Sequence, residues 1–295
     1  MNIEMNLVSD WQDIIIEDMV ADGLRFSKST QKDLLVIRYF TYLRKKGGVT
    51  RKRRLHLAKE FNCPLHLKNG FDKLIDVLEN GQDISPYLSK MVDKISFFDG
   101  MFNDWGVLHL HLGDHPDEKD GNYVARTGPV LFLYLNENEA YLINVYEHGS
   151  WTDKSVLQTV YDNWPELIEP YIFKGVKELQ YQITEENHEK LRKKGYTVML
   201  ELKDISGNAI ILAPPGLGIT ASRDAMHDVR SYKRTVNDIR RLEQDIRENP
   251  QLIQTLFKDS MADALQLRLV LENNNLYVIE QTTQMKVDQY IIRSV

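Results

Sequence analysis

The chain has 295 residues, of which 42% are hydrophobic and 27% charged, and its formal net charge is −6. These fractions are typical of a soluble globular protein, and no stretch approaches the roughly 18 uncharged apolar residues that a membrane span requires. The N-terminus carries acids where a secretory signal peptide carries basic residues, and the single cysteine, Cys63, cannot form an internal disulfide. We therefore expect a cytoplasmic protein with no membrane partner.

Residues 1–100 are expected to form a helical region. Apolar residues at helical spacing predict a first helix over 31–46, which two glycines end, and another helix over 66–79. Between them, a second helix is predicted to start after Thr50 and to cover 51–61.

The segment 44–54 joins the first two of these helices and carries seven basic residues in eleven, with no acid. Because the whole chain is acidic, any attraction to phosphate must be local to this segment. One interpretation is a solvated basic turn. The other is an RNA contact, for which the candidate residues are Lys45, Lys46, Arg51, Lys52, Arg53 and Arg54.

Residues 101–182 form a β-rich middle region with three strand-like stretches, at 106–113, 128–135 and 139–148. Successive side chains of a strand point to opposite faces, so each stretch sorts into an apolar and a more polar set. The expected apolar face holds Leu108, Leu110, Leu112, Leu131, Leu133, Leu135, Tyr141, Ile143 and Val145. The expected polar face holds Val107, His109, His111, Phe132, Tyr134, Leu142, Asn144, Tyr146 and His148.

Residues 183–295 form an α+β C-terminal region, with a helix predicted over 184–195, a long amphipathic helix over 222–248 and a shorter helix near 250–258. Two hairpins are predicted, turning at 206–208 and at 273–275. The expected fold is therefore α+β, with an N-terminal helical region, a mostly antiparallel sheet flanked by helices, and C-terminal hairpins.

The polar face of the middle strands has three interpretations. In the first, its histidines and tyrosines are satisfied structurally beneath a covering helix, either 153–163 or 222–248. In the second, His109 and His111 bind a metal together with Asp114, His115 or His148, although the chain has no HExxH or CxxC motif to supply further ligands.

The third interpretation is metal-free acid–base chemistry on a phosphodiester. A histidine titrates near neutral pH, so one can deprotonate a ribose 2′-hydroxyl while another group protonates the leaving oxygen. A cation must neutralise the charge that develops on the phosphorus centre. The candidate catalytic residues are His109, His111, Arg126, Tyr146 and His148, and such a site needs no metal or cofactor.

The succession LHLHLG and RTGPVLFLYLNENEAYLINVYEH resembles the last strands of the RelE/HigB type of bacterial toxin over about 45 residues. The resemblance implies metal-independent cleavage of mRNA on a concave sheet face that helices support from behind. It places Arg126 at the family's arginine before the penultimate strand, and Tyr146 or His148 at its C-terminal catalytic position. The chain is much longer than typical members, and the pair His109 and His111 is not a family signature.

A second arrangement, Arg51 followed five residues later by His56, is similar to the Arg-x4-His motif of HEPN-type ribonucleases when both lie on a helix. Lys52 stands where the commonest form of that motif has a polar residue. The alternative is a basic helix start with His56 at its edge.

Three functions remain open from the sequence. The first is an RNA-acting protein, with endoribonuclease activity, of a toxin–antitoxin or phage-defence system. The second is a non-enzymatic subunit of such a system that binds a protein partner or antitoxin. The third is a metal-dependent hydrolase that uses His109 and His111.

Overall fold

Runs of helices and runs of mostly antiparallel strands follow one another along the described chain, which confirms the expected α+β class. The computed structural model describes residues 2–46, 50–249, 264–273 and 275–293. Contacts between residues divide the chain into two compact units, one made of residues 1–39 with 229–295 and the other of residues 40–228. The helix expected near 250–258 lies outside the described residues.

The described strands, in chain order, are β1 (Asn2–Met5), β2 (Arg54–Leu57), β3 (Val107–His111), β4 (Val130–Leu135), β5 (Glu139–Tyr146), β6 (Leu200–Lys203), β7 (Ala209–Leu212), β8 (Ala264–Glu272), β9 (Asn275–Glu280) and β10 (Lys286–Arg293). The described α-helices are α1 (Leu7–Ala21), α2 (Lys32–Lys46), α3 (Lys68–Asn80), α4 (Gly100–Trp105), α5 (Lys154–Asn163), α6 (Pro165–Ile168), α7 (Glu185–Lys193) and α8 (Met226–Glu248).

The smaller unit contains a four-stranded sheet in the order β1-β8-β9-β10, with β1 parallel to β8 and the other pairs antiparallel. Helix α1 lies against β8 and begins at Asn6, whose side chain accepts a hydrogen bond from the Ser9 backbone N–H. Leu7 and Leu267 are fully buried in this unit. The predicted C-terminal hairpin is confirmed as β8 and β9.

The larger unit contains a second four-stranded sheet in the order β2-β5-β4-β3. Strands β3, β4 and β5 are antiparallel, which confirms the predicted meander, and β2 runs parallel to β5 from Arg54 opposite Glu139 to Leu57 opposite Leu142. The helix predicted over 51–61 is therefore wrong. A pattern of four residues is too short to predict a strand from the sequence. Strand β2 forms because β5 supplies its hydrogen-bonding partner.

A bulge changes the sidedness of β5. Phe132 pairs with Asn144, but the next residue, Leu133, pairs with Leu142, so the register shifts by one residue between them. Directly opposed residues share a face, and the shift brings Tyr141 opposite Tyr134, with ring centroids 6.4 Å apart. Tyr141 was expected on the other face, so that assignment is corrected. Strict alternation fails wherever an extra residue is inserted.

Helix α5 covers the face that contains Phe132 and Tyr141, as the sequence allowed for 153–163. Its residues Val156, Leu157 and Val160 belong to the same buried hydrophobic cluster as these two aromatic rings. The polar face of the strands is thus packed against a helix. Among the residues that the structure describes, no helix has the length and apolar character needed to span a membrane.

Candidate functional site

The sheet of the larger unit separates some of the predicted catalytic residues from some of the predicted RNA-binding residues. Arg54 pairs with Glu139 at the start of β5, whereas Tyr146 closes the same strand. At about 3.3 Å per residue, the seven steps between Glu139 and Tyr146 span roughly 23 Å. The two ends of the sheet therefore carry different surfaces, although Lys45 of the predicted RNA-binding set shares the Asp99 carboxylate with His109.

Three of the predicted catalytic residues and one tryptophan form the first surface, which we call the histidine cluster: His109, His111, His148 and Trp151. The His109 ring centroid lies 4.3 Å from that of Trp151, and the His148 centroid lies 5.0 Å from it. His111 and His148 are 6.1 Å apart by the same measure. Tyr146 is half-buried beside the cluster, with its ring edge-on to Phe132.

Only His148 of the three histidines is exposed. His111 is buried, and its Nδ1 accepts a hydrogen bond of 3.2 Å from the Thr127 backbone N–H. Burial, with the nearby charge of Arg126, lowers the pKa of His111 to about 3, so its imidazole is neutral at physiological pH. His111 in this conformation holds the loop before β4 and lies out of reach of solvent.

His109 lies above a buried ion pair. Its Nδ1 is 3.5 Å from Oδ2 of Asp99, and Nζ of Lys45 is also 3.5 Å from that oxygen. Burial lowers the pKa of His109 and that of Lys45, while Lys45 and His109 together keep the pKa of Asp99 below its ordinary value despite its burial. All three side chains are less than one-tenth exposed, so they are closed to a ligand in solution.

Arg126 lies in the loop before β4 and is bound to the backbone. Its guanidinium donates hydrogen bonds to the carbonyl oxygens of Pro86, Leu88 and Val124 and lies 5.2 Å from the ring centroid of Tyr123. These bonds fix the loop, and they occupy most of the donors that a phosphate would need.

The described residues do not bring together a set of ligands for the metal that His109 and His111 were expected to bind. Asp114 and His115 are exposed and hydrogen-bonded to each other at 2.7 Å. Within the described ranges, no group of three or more His, Cys, Asp or Glu side chains is arranged to hold a metal ion.

The basic segment divides into buried and exposed residues. Lys45 and Arg53 are each 5% exposed, Lys45 in the ion pair with Asp99 and Arg53 in hydrogen bonds to the carbonyl oxygens of Arg51 and Asn136. Both were expected to contact RNA, and their burial gives them structural roles. The remaining members are Lys46, which lies over the Tyr42 ring, and the exposed Arg51, Lys52 and Arg54.

The second surface is a cleft of about 370 Å³, which we call the arginine cleft. Its lining residues are Arg44, Arg51, Arg53, Phe102, Gly106, Leu108, Tyr134, Leu135, Asn136 and Glu137. Arg44 pairs through two nitrogens with Asp228 and lies 4.2 Å from the Phe102 ring centroid. Arg51 pairs with Glu137 at 3.2 Å, and both side chains are exposed.

A second cavity, of about 230 Å³, adjoins the arginine cleft, and we call it the α4 cavity. The two share the lining residues Arg44, Phe102, Gly106 and Tyr134. The other lining residues are Asn103, Asp104, Trp105, Val107, Leu157, Val160, Leu167, Ile168, Tyr171, Pro215 and His227. Apolar walls with a few polar groups are typical of a small-molecule site.

Helix α4, which lines part of this cavity, also carries three buried polar atoms. Asn103 Oδ1, Asp104 Oδ1 and Trp105 Nε1 are buried and form no hydrogen bond with any described residue. Buried polar atoms without partners are rare and call for a water or a ligand. Sequence reasoning missed these residues. The available signal was the run Asn103-Asp104-Trp105 inside an otherwise apolar stretch.

The Arg-x4-His motif does not form on a helix, because residues 54–57 are a strand. His56 Nε2 lies 2.6 Å from Glu139 Oε2, and its ring stacks on Tyr141 at 4.8 Å between centroids. His56 is therefore engaged on the sheet rather than paired with Arg51.

Comparison with known proteins gives no relative: no family model, no curated protein and no solved structure matches this chain.

Proposed function

We propose that this protein binds single-stranded RNA in the arginine cleft. The observation that carries the proposal is the position of the exposed Arg51 and of Arg44, from two chain segments, on one cleft that has Glu137 as its only acidic lining residue among those described. Guanidinium groups match the geometry of phosphate oxygens and stay charged at every physiological pH.

Aromatic side chains in the same cleft favour a single-stranded ligand. Tyr134 lines it together with the arginines and is half-exposed, whereas Phe102, which also lines it, is buried beneath the Arg44 guanidinium. Unpaired bases stack on aromatic rings, whereas the bases of a duplex are already stacked on one another.

Arg51 is the cation that a phosphate would reach first. Its partner Glu137 is 83% exposed in its side chain, and Arg51 is 47% exposed. An exposed ion pair of this kind contributes about 0.2–1 kcal/mol, so an incoming phosphate can replace the carboxylate at small cost.

Endoribonuclease activity, which the RelE/HigB resemblance implies, stays a separate prediction. His148 is the exposed histidine of the cluster, and RNA cleavage that persists in EDTA would support a catalytic role for it. The protein-partner hypothesis also stays a prediction, without a surface that identifies the partner.

The proposal is tested by the fluorescence anisotropy of a labelled 12-nucleotide RNA of mixed sequence. Affinity is expected to fall with salt, with a slope of about −0.7 in log units for each phosphate contact. Arg51→Glu is expected to weaken binding at least tenfold and to flatten the slope by about one contact, because it replaces attraction with repulsion.

Arg241→Glu is the matched control. Arg241 is also an exposed arginine paired with an exposed acid, Asp238 at 3.4 Å, but it is not among the residues that line the cleft. Unchanged affinity in Arg51→Glu, or an equal loss in both variants, would contradict the proposal.

A further inference from the structure

We propose that His56, Glu139 and Arg54 form an acid–base site that cleaves the RNA bound in the arginine cleft. His56 and Arg54 lie on β2, and Glu139 begins β5. This inference rests on the proposed function, because the cleft must deliver the RNA. It places the chemistry at the arginine end of the sheet, whereas the resemblance to RelE/HigB toxins implies cleavage at the histidine cluster.

His56 is oriented as a general base would be. Its Nε2 lies 2.6 Å from Oε2 of Glu139, and its ring stacks on Tyr141, which fixes the plane of the imidazole. A carboxylate only accepts hydrogen bonds, so in the neutral imidazole Nε2 carries the proton and Nδ1 keeps its lone pair. Nδ1 forms no hydrogen bond with a described residue, and the side chain is 33% exposed. Glu139 therefore positions His56 with Nδ1 open to a substrate, as the acid does in a Ser-His-Asp site.

Arg54 supplies a cation beside this pair. It precedes His56 by two residues on β2, so both side chains extend from the same face of the strand. In the parallel pairing of β2 with β5 it lies directly opposite Glu139, and it is exposed. A guanidinium at this place can neutralise the charge that develops on the phosphorus centre.

The site adjoins the arginine cleft. Glu139 follows the cleft residue Glu137 by two positions in the chain. Across the sheet, the ring centroid of the cleft residue Tyr134 lies 6.4 Å from that of Tyr141, which lies 4.8 Å from that of His56. A nucleotide next to those bound in the cleft can therefore reach the imidazole.

The reaction is an internal transesterification. Nδ1 of His56 takes the proton of a ribose 2′-hydroxyl, and the 2′-oxygen forms a bond to the adjacent phosphorus while the bond from phosphorus to the 5′-oxygen breaks. The leaving 5′-oxygen takes a proton from water, and the resulting hydroxide takes the proton held by His56. The products are a 2′,3′-cyclic phosphate and a 5′-hydroxyl end, and DNA is not a substrate because it lacks the 2′-hydroxyl.

The test measures single-turnover cleavage of a labelled 12-nucleotide RNA in EDTA, with the product ends identified by mass spectrometry. Wild type is expected to leave 2′,3′-cyclic phosphates. His56→Gln is expected to lower the rate at least about a hundredfold, the lower end of what a general base contributes. Arg54→Gln is expected to lower it at least about tenfold, and it keeps the test open if His56→Gln does not fold. His66→Gln is the matched control, because His66 is exposed and lines neither the arginine cleft nor the α4 cavity.

Glu139 acts through His56, so its role is tested with a conservative variant. Glu139→Gln can offer an amide N–H to the imidazole and no longer fixes the tautomer, so it is expected to slow cleavage at least about tenfold. Glu139→Asp keeps a carboxylate and is expected to recover part of the rate. Every variant is also titrated with the 2′-O-methyl form of the RNA, which cannot be cleaved; unchanged affinity shows that the cleft is intact.

The outcomes separate this inference from the proposed function. A wild-type protein that binds 2′-O-methyl RNA but leaves unmodified RNA intact would overturn the site and leave RNA binding in the cleft standing. Cleavage that persists in His56→Gln, or that is lost in His148→Ala instead, would place catalysis elsewhere and would also overturn it. A wild-type protein that binds neither RNA would overturn the proposed function and this inference together.

Discussion

The two ends of the β2-β5-β4-β3 sheet differ in how their polar side chains are used. At one end, His109, His111 and Arg126 are held by ring contacts, backbone atoms and a buried carboxylate. At the other end, Arg51 is exposed beside a cleft, and its partner Glu137 is exposed as well. Residue type made the first end the more promising site, whereas the geometry favours the second. A functional group must be accessible and incompletely satisfied before it can serve a ligand.

The largest expected effect tests whether the histidine end is structural. Asp99→Ala removes the only acid within ion-pair distance of Lys45 and His109 among the described residues. Loss of one partner leaves a buried charge uncompensated, so we expect the free energy of unfolding to fall by about 3–5 kcal/mol. Urea denaturation measures this change.

The double variant Lys45→Met/Asp99→Leu is the control, since it replaces both charges with apolar groups. It is expected to recover most of the lost stability. An Asp99→Ala protein as stable as wild type would contradict a structural role for the pair.

The pH dependence of stability should also separate the two ends. His111 has a pKa of about 3 in the folded protein and about 6.5 when unfolded, so below pH 6.5 the unfolded chain binds the extra proton. Its contribution is fully present above pH 6.5 and declines as the pH falls towards 3, with a loss of roughly 2 kcal/mol by pH 5. Urea denaturation at pH 7.5 and pH 5 measures it.

His111→Asn keeps an acceptor for the Thr127 backbone N–H but does not titrate. The variant is expected to lose less stability between pH 7.5 and pH 5 than wild type. Identical pH dependence of the two proteins would show that His111 is not held neutral by burial. The arginines remain charged over this pH interval. The part of the RNA affinity that depends on them should therefore be nearly constant.

A smaller effect, on RNA affinity, is expected from a substitution at the arginine end of the sheet. Glu137→Gln removes the carboxylate that competes with phosphate for Arg51, so RNA should bind roughly 1.4- to fivefold more tightly, which corresponds to the about 0.2–1 kcal/mol of an exposed ion pair. Anisotropy titration against wild type measures the change. Weaker binding would indicate that Glu137 orients Arg51 for the ligand.

The smallest expected effect on stability is that of His148→Ala. His148 is exposed, so the free energy of unfolding should change by less than about 0.5 kcal/mol. The same variant tests the histidine end for catalysis. If wild type cleaves RNA in the presence of EDTA, the RelE/HigB resemblance predicts that His148→Ala or Tyr146→Phe loses cleavage while RNA binding persists.

Much of the secondary structure followed from local patterns. Alternation located β3, β4 and β5, and helical spacing located α2 and α3. These signals are carried by neighbouring residues, so the sequence contains them directly.

Other features could not be predicted because they depend on distant partners. The strand β2 forms by pairing with β5, and the bulge beside Phe132 exists only when β4 and β5 are aligned. The α4 cavity is lined by residues from Arg44 to His227, so no window of the sequence contains it.

The sequence by itself determined the α+β class, the meander and the presence of a basic segment, since each follows from residue type at short spacing. Only the tertiary structure decided which charges and imidazoles are buried. It buried Lys45 and Arg53 of the basic segment, left Arg51 exposed, and covered His109 and His111. The physical reason is that burial and hydrogen-bond satisfaction depend on which surfaces pack together, and helices and strands far apart in the chain supply those surfaces.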